Sequence, residues 1–149
     1  MLQRIQTLYL LAVAALMSVL CFVPMVNYTV ADQESSIVAF NDFWWVGVLF
    51  AISALVAFVV IWLYKNRLAQ IRLLCAEIVL LVGSQAFALW YSIGVTRQVA
   101  AEAAAQGMAT MSSITTPTFF PLVCVILVWL AIRAIWKDER LVRSLDRIR

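Results

Sequence analysis

Residues Phe43–Tyr64 read FWWVGVLFAISALVAFVVIWLY, a run without a single Lys, Arg, Asp or Glu. About 20 apolar residues cross the roughly 30 Å hydrocarbon core of a bilayer as a helix, and aromatic rings suit the headgroup level at either end. A run of this kind belongs in lipid. Working outward from it, three more apolar stretches of similar length appear: Ile5–Val26, Ile71–Tyr91 and Phe119–Trp136. The whole chain of 149 residues is 65% apolar and only 13% charged, against roughly 45–50% apolar in an ordinary soluble domain. The expectation is an all-α fold in a single integral membrane domain over residues 1–149: a four-helix transmembrane bundle.

The basic residues orient it. Arg4, then Lys65, Arg67 and Arg72, then Arg133, Lys137, Arg140, Arg143, Arg147 and Arg149 fall on one side of the four spans, and Arg97 alone on the other. Cytoplasmic loops accumulate Lys and Arg, so both termini are expected in the cytoplasm. The two long connections, Asn27–Asp42 and Ser92–Thr118, then face outward with Asp32, Glu34, Asp42 and Glu102. Aromatic rings mark the same boundaries: Trp44, Trp45, Trp90 and Tyr91 outside, and Trp62, Tyr64 and Trp136 inside. The first span follows Arg4 in the manner of a secretory signal. Its apolar run is longer than a signal core and no small-x-small cleavage site follows, so it reads as a retained anchor.

The connections carry local signals. Lys65–Gln70 is a short basic link that makes spans two and three antiparallel neighbours. In the first outer loop, Asn27–Ala31 and Ser36–Phe40 are β-prone runs around the polar residues 32–35, which suggests a small hairpin. Span three should continue outward through the helix-favouring Val95–Gln106 and stop at Gly107, with Met108–Thr118 mobile. Thr116 and Pro117 mark the start of the fourth helix. After Trp136, Leu141, Leu145 and Ile148 share one helical face while Glu139, Arg140, Arg143, Asp146 and Arg147 share the other. The tail therefore reads as an amphipathic helix with an i,i+4 pair between Glu139 and Arg143.

Little here carries reaction chemistry. The chain has no His, which excludes Ser-His-Asp and Cys-His catalysis and the His-based zinc and haem sites. Cys21, Cys75 and Cys124 all fall inside spans without a C-x-x-C, and they read as small buried apolar groups. No phosphate loop, dinucleotide fingerprint or H-E-x-x-H occurs. No cofactor, metal or nucleic-acid partner is expected, and no enzymatic activity.

An ionisable residue inside a span is a functional candidate by default, and Glu77 is the one that qualifies. It lies about 7.5 Å along the helix axis from Arg72, which places it shallow on the cytoplasmic side. It could bind a proton or cation, snorkel to the interface, or pair with Arg72 or Arg133. Ser84 and Gln85 sit nearer the midplane, where an amide hydrogen-bonds a neighbouring helix or a second copy of the chain. Small residues at i,i+4, including Ala14 with Ser18 and Gly47 with Ala51, favour close helix contacts.

Three stretches carry a family resemblance: Met1–Leu10 (MLQRIQTLYL), Tyr64–Arg72 (YKNRLAQIR) and Ala131–Arg149 (AIRAIWKDERLVRSLDRIR). Together they resemble a bacteroidete family of small four-span proteins classed as a domain of unknown function. The resemblance implies an inner-membrane setting and brings no activity, substrate or catalytic residue. All three stretches lie on the side expected to be cytoplasmic.

The function these features point to is that of a non-enzymatic accessory or scaffold subunit. Its basic cytoplasmic surface of Lys65, Arg67, Arg72, Arg133, Lys137, Arg140, Arg143, Arg147 and Arg149 would meet anionic lipid or a membrane or cytosolic protein partner. The alternative is a small oligomeric transporter or channel that uses Glu77.

Overall fold

The computed structural model describes residues 2–31, 33–63 and 66–146. Four long helices dominate: α1 (Leu2–Leu20), α3 (Trp44–Trp62), α4 (Arg67–Ala105) and α5 (Phe120–Asp146). Between α1 and α3 lie the strands β1 (Pro24–Val30) and β2 (Gln33–Val38) and a single helical turn, α2 (Ala39–Asp42). A third strand, β3 (Thr110–Ile114), and a 3₁₀ turn (Thr116–Phe119) lead into α5. Three helical stretches are long and apolar enough to cross a membrane: Trp44–Trp62, Arg67–Ala105 and Thr116–Asp138. The apolar part of α1, Ile5–Leu20, is shorter.

Helix α1 packs against α3 and α5, and α4 packs against the same two. Each contributes a seam at alternating steps of three and four residues: Gln6, Leu10, Val13, Met17 and Leu20 on α1; Val46, Phe50, Ser53, Ala57 and Val60 on α3; Cys124, Val128, Ala131 and Ile135 on α5. That average period near 3.5 is the one that keeps a seam facing its neighbours along the length of a helix pair. Large apolar side chains cover the outward faces, among them Leu8, Leu55, Phe58, Val79 and Ile126. In water such a surface is an aggregation hazard, and in hydrocarbon it is satisfied.

Cross-links between elements set the direction of each helix. The Cys21 thiol approaches the Gly47 carbonyl at 3.7 Å, joining the end of α1 to the start of α3. The Gln70 amide donates to the Val60 carbonyl at 3.0 Å, joining the end of α3 to the start of α4. Arg67 meets Asp138 at 3.3 Å, joining the start of α4 to the last third of α5. Successive long helices are therefore antiparallel. Strands gather at one end, the sheet end, and the final turns of α5 lie at the other, the tail end.

The sheet has the order β2-β1-β3, antiparallel throughout. The hairpin of the first loop is present, with Ala31 at φ 49° in its turn. Strand β2 ends at Val38 and the chain then coils into α2, so Ala39 and Phe40 are not strand as the β-prone pattern suggested. Met108–Thr118, expected to be mobile, instead supplies β3, whose residues pair with β1 from Val26↔Ile114 to Val30↔Thr110. Thr118 and the Thr115 amide both donate to the Met25 carbonyl, at 2.9 Å each, which ties this segment to the root of β1.

Several boundaries shift. The first apolar stretch is not helical to Val26: α1 ends at Leu20 and Pro24 opens β1, since proline interrupts a helix. The link between spans two and three is shorter than expected, because Arg67–Gln70 already form the first turn of α4. That helix continues outward as the helix-favouring composition implied and ends in a Schellman motif. The Met108 amide bonds the Ala103 carbonyl at 2.9 Å, the Gly107 amide bonds that of Ala104 at 3.2 Å, and Gly107 takes φ 68°. The tail is no separate helix but the continuation of α5 to Asp146.

Candidate functional site

The buried residues of α4 are Gln70, Leu74, Glu77, Leu81, Ser84, Gln85, Ala88, Ser92 and Ala103. Polar and apolar positions alternate along this seam. Gln70, Glu77 and Ser84 recur every seven residues on one row, and Leu74, Leu81 and Ala88 form the other. A period of seven returns to nearly the same helical face, so Gln70, Glu77 and Ser84 all point inward. From α3 the seam is met by Ser53, and from α5 by Cys124, both fully buried.

Glu77 is 1% exposed. Its Oε1 accepts a hydrogen bond from the Ser53 hydroxyl, and Cys124 lies within electrostatic reach of it. Oε2 is buried with no hydrogen-bond partner among the described residues. Because Ser53 is the middle residue of the 19-residue helix α3, Glu77 stands level with the middle of that apolar helix. The expected shallow position came from treating Arg72 as the boundary; that residue is exposed within α4, and a long basic side chain can reach the interface from inside it. Neither the snorkelling arrangement nor the pairs with Arg72 or Arg133 are present. Arg133 instead sits over the Trp129 ring at 5.6 Å.

Ser84 donates to the Leu81 carbonyl of its own helix at 2.9 Å. Gln85 is 5% exposed, with neither amide atom partnered among the described residues, and the buried Ser92 hydroxyl is in the same condition. An amide enclosed by its own chain in this way is not presented to a second copy. Ser53, Gln70, Ser92 and Cys124 are buried in the same interior, and of them Ser53 is the one hydrogen-bonded to Glu77, a contact the sequence does not single out. The signal that could have found them is the helical phase of the polar residues, which puts Gln70, Glu77 and Ser84 seven apart and Ser53 on the inward row of α3.

The second candidate is the basic surface at the tail end. Arg133, Lys137 and Arg140 are exposed along α5 at i, i+4 and i+7, and with Trp129, Ile132 and Trp136 they line one surface recess. A second recess is lined by residues 66–69 together with Arg72 and Leu73. Arg67 spends its charge on Asp138 across the helix pair. Lys65, Arg147 and Arg149 lie outside the described residues, as do the side chain of Arg143 and the expected pair of Glu139 with Arg143. Of the thiols, Cys21 and Cys124 are buried as expected, whereas Cys75 is exposed on the outward face of α4. Cys21 and Cys124 stand on helices that pack together, and the Cys21 thiol is directed to the Gly47 carbonyl.

A family model described as Domain of unknown function (DUF4293) matches residues 2–148. No curated protein and no solved structure matches the chain.

Proposed function

We propose that the chain, which belongs to the DUF4293 family, is a non-enzymatic integral membrane protein acting as an accessory or scaffold subunit. In this reading the four long helices form a transmembrane bundle in a bacterial inner membrane with both termini cytoplasmic. The tail end then meets anionic lipid or a protein partner. The apolar part of α1 rises about 24 Å at 1.5 Å per residue, and a modest shortfall against the hydrocarbon thickness is absorbed by local thinning and snorkelling.

The observation that carries the reading is the exposed row Arg133, Lys137 and Arg140 beside Trp129 and Trp136. Basic and aromatic side chains together match the phosphate and carbonyl level of a leaflet. The test is purification in mild detergent followed by native mass spectrometry. Retained anionic phospholipid, or one protein in fixed stoichiometry, is expected, and the mass also reports any second copy. Recovery of a lipid-free chain with no partner rejects the proposal.

A second reading, a small transporter or channel, is favoured by one feature: a carboxyl group level with the middle of the apolar helix α3, with one oxygen unpartnered among the described residues. If Glu77→Gln leaves ion or proton flux in liposomes unchanged, that reading fails.

A further inference from the structure

The buried polar atoms of α4 are distributed unevenly about Glu77. Toward the sheet end come Gln85, with both amide atoms unpartnered, then the Ser92 hydroxyl, and beyond the helix the Thr115 hydroxyl in the same state among the described residues. Glu77 to Ser92 spans about 22 Å of helix axis, in steps of about 12 and 10 Å. Toward the tail end the buried polar side chains are Gln6 and Gln70, the latter donating to the Val60 carbonyl, and among the described residues no buried polar side-chain atom on that side is left without a partner. Unsatisfied buried polar groups in proteins are commonly completed by bound water, which needs two or more polar partners. Here such partners line one half of the span.

We propose that Glu77 is an exchangeable proton site reached through water from the sheet end alone. The ligand is a proton, carried by water bound along Gln85 and Ser92. Without water beside it the carboxyl group is neutral, with the proton on Oε2 and the Ser53 hydrogen bond on Oε1. On release the proton passes to water on the Gln85 side, and the carboxylate keeps the Ser53 bond. A lone carboxylate in a dry apolar interior is strongly disfavoured, so exchange requires water on that side. No titratable side chain from α3 faces Glu77, since α3 holds none. From α5 the facing group is Cys124, α1 presents Leu10, Val13 and Met17 to the interior, and on α4 the nearest groups, Cys75 and Arg72, are exposed off the seam. This inference rests on the transmembrane placement proposed above and gives the transport reading its ligand and its side.

The full chain in sealed vesicles, with the pH of each side clamped separately, provides the test. A lipid-soluble carbodiimide reaches the hydrocarbon from either side and modifies a carboxyl group in its protonated form. The label should map to Glu77 and vanish in Glu77→Gln. Raising the sheet-side pH should slow labelling, approaching about tenfold per pH unit once the group is mostly ionised, whereas raising the tail-side pH should leave it unchanged. Gln85→Leu, with helicity checked by circular dichroism, should slow the response to a sheet-side pH step several-fold. Labelling that follows the tail-side pH, labelling indifferent to both, or no label on Glu77 overturns the inference. In the same vesicles an impermeant thiol reagent is applied to Ser113→Cys and Lys137→Cys. Reaction of both from one side shows that the transmembrane placement has failed, and reaction from opposite sides confines a negative result to the proton site.

Discussion

Ser53 gives Glu77 its one hydrogen bond among the described residues, and removing it would leave both carboxyl oxygens without a protein partner. Interhelical hydrogen bonds in membranes average about 0.6 kcal/mol and reach about 1.7, while an unsatisfied buried group costs about 1–3. Ser53→Ala should therefore destabilise the fold by about 1–2 kcal/mol in detergent-denaturant titrations. Glu77→Gln, which keeps an acceptor oxygen for Ser53, should change stability by less than about 1 kcal/mol. Equal losses in the two variants would show that the Ser53 bond contributes nothing. Thiol exposure gives a second check at this scale: Cys75 faces outward while Cys21 and Cys124 are enclosed. In the detergent-solubilised protein a small maleimide should modify Cys75 first, at a rate that rises with pH because the thiolate is the reacting form, and the other two only after unfolding. At this scale the sequence identified Glu77 as the polar anomaly of its span but not its depth, because depth depends on which residue of α3 stands opposite, and that contact is tertiary.

At the scale of elements, α4 is the organising piece. Its 39 residues rise about 58 Å, nearly twice the hydrocarbon thickness, so its last turns extend beyond the apolar layer and carry the sheet, with Ala103 buried at 3% exposure. Gly107 at φ 68° turns the chain from this helix toward β3. A side chain with Cβ in that conformation costs about 1–2 kcal/mol, although open space surrounds the position. Gly107→Ala should accordingly loosen β3 through backbone strain alone, read as faster amide exchange over Thr110–Ile114 with the exchange of α3 unchanged. Protection of β3 equal to that of the parent would show that the turn does not hold the strand. The outward run of α4 and its glycine stop were legible because helix propensity and a positive-φ signal are local. Strand β3 was not, since a Ser/Thr-rich segment acquires strand geometry only from β1 beside it, and the end of α1 was missed because the apolar run continues past Leu20 while proline takes the backbone into β1.

For the molecule as a whole, charge and aromatic placement carry the functional reading. Each Lys or Arg near an anionic leaflet contributes about 1 kcal/mol, so the exposed trio Arg133, Lys137 and Arg140 amounts to about 3 kcal/mol, or on the order of a hundredfold in lipid preference. Arg67, engaged with Asp138, contributes less to lipid because its charge already has a partner. Replacing the trio together by Gln should therefore abolish most of the enrichment of anionic over zwitterionic phospholipid around the purified protein. Arg67→Gln should leave that enrichment within a few-fold of the parent, and its effect on stability should stay under about 1 kcal/mol, as for other exposed ion pairs. Native mass spectrometry in mixed-lipid nanodiscs separates the two outcomes. Undiminished enrichment in the triple variant would detach the basic face from lipid and leave a protein partner as its proposed role.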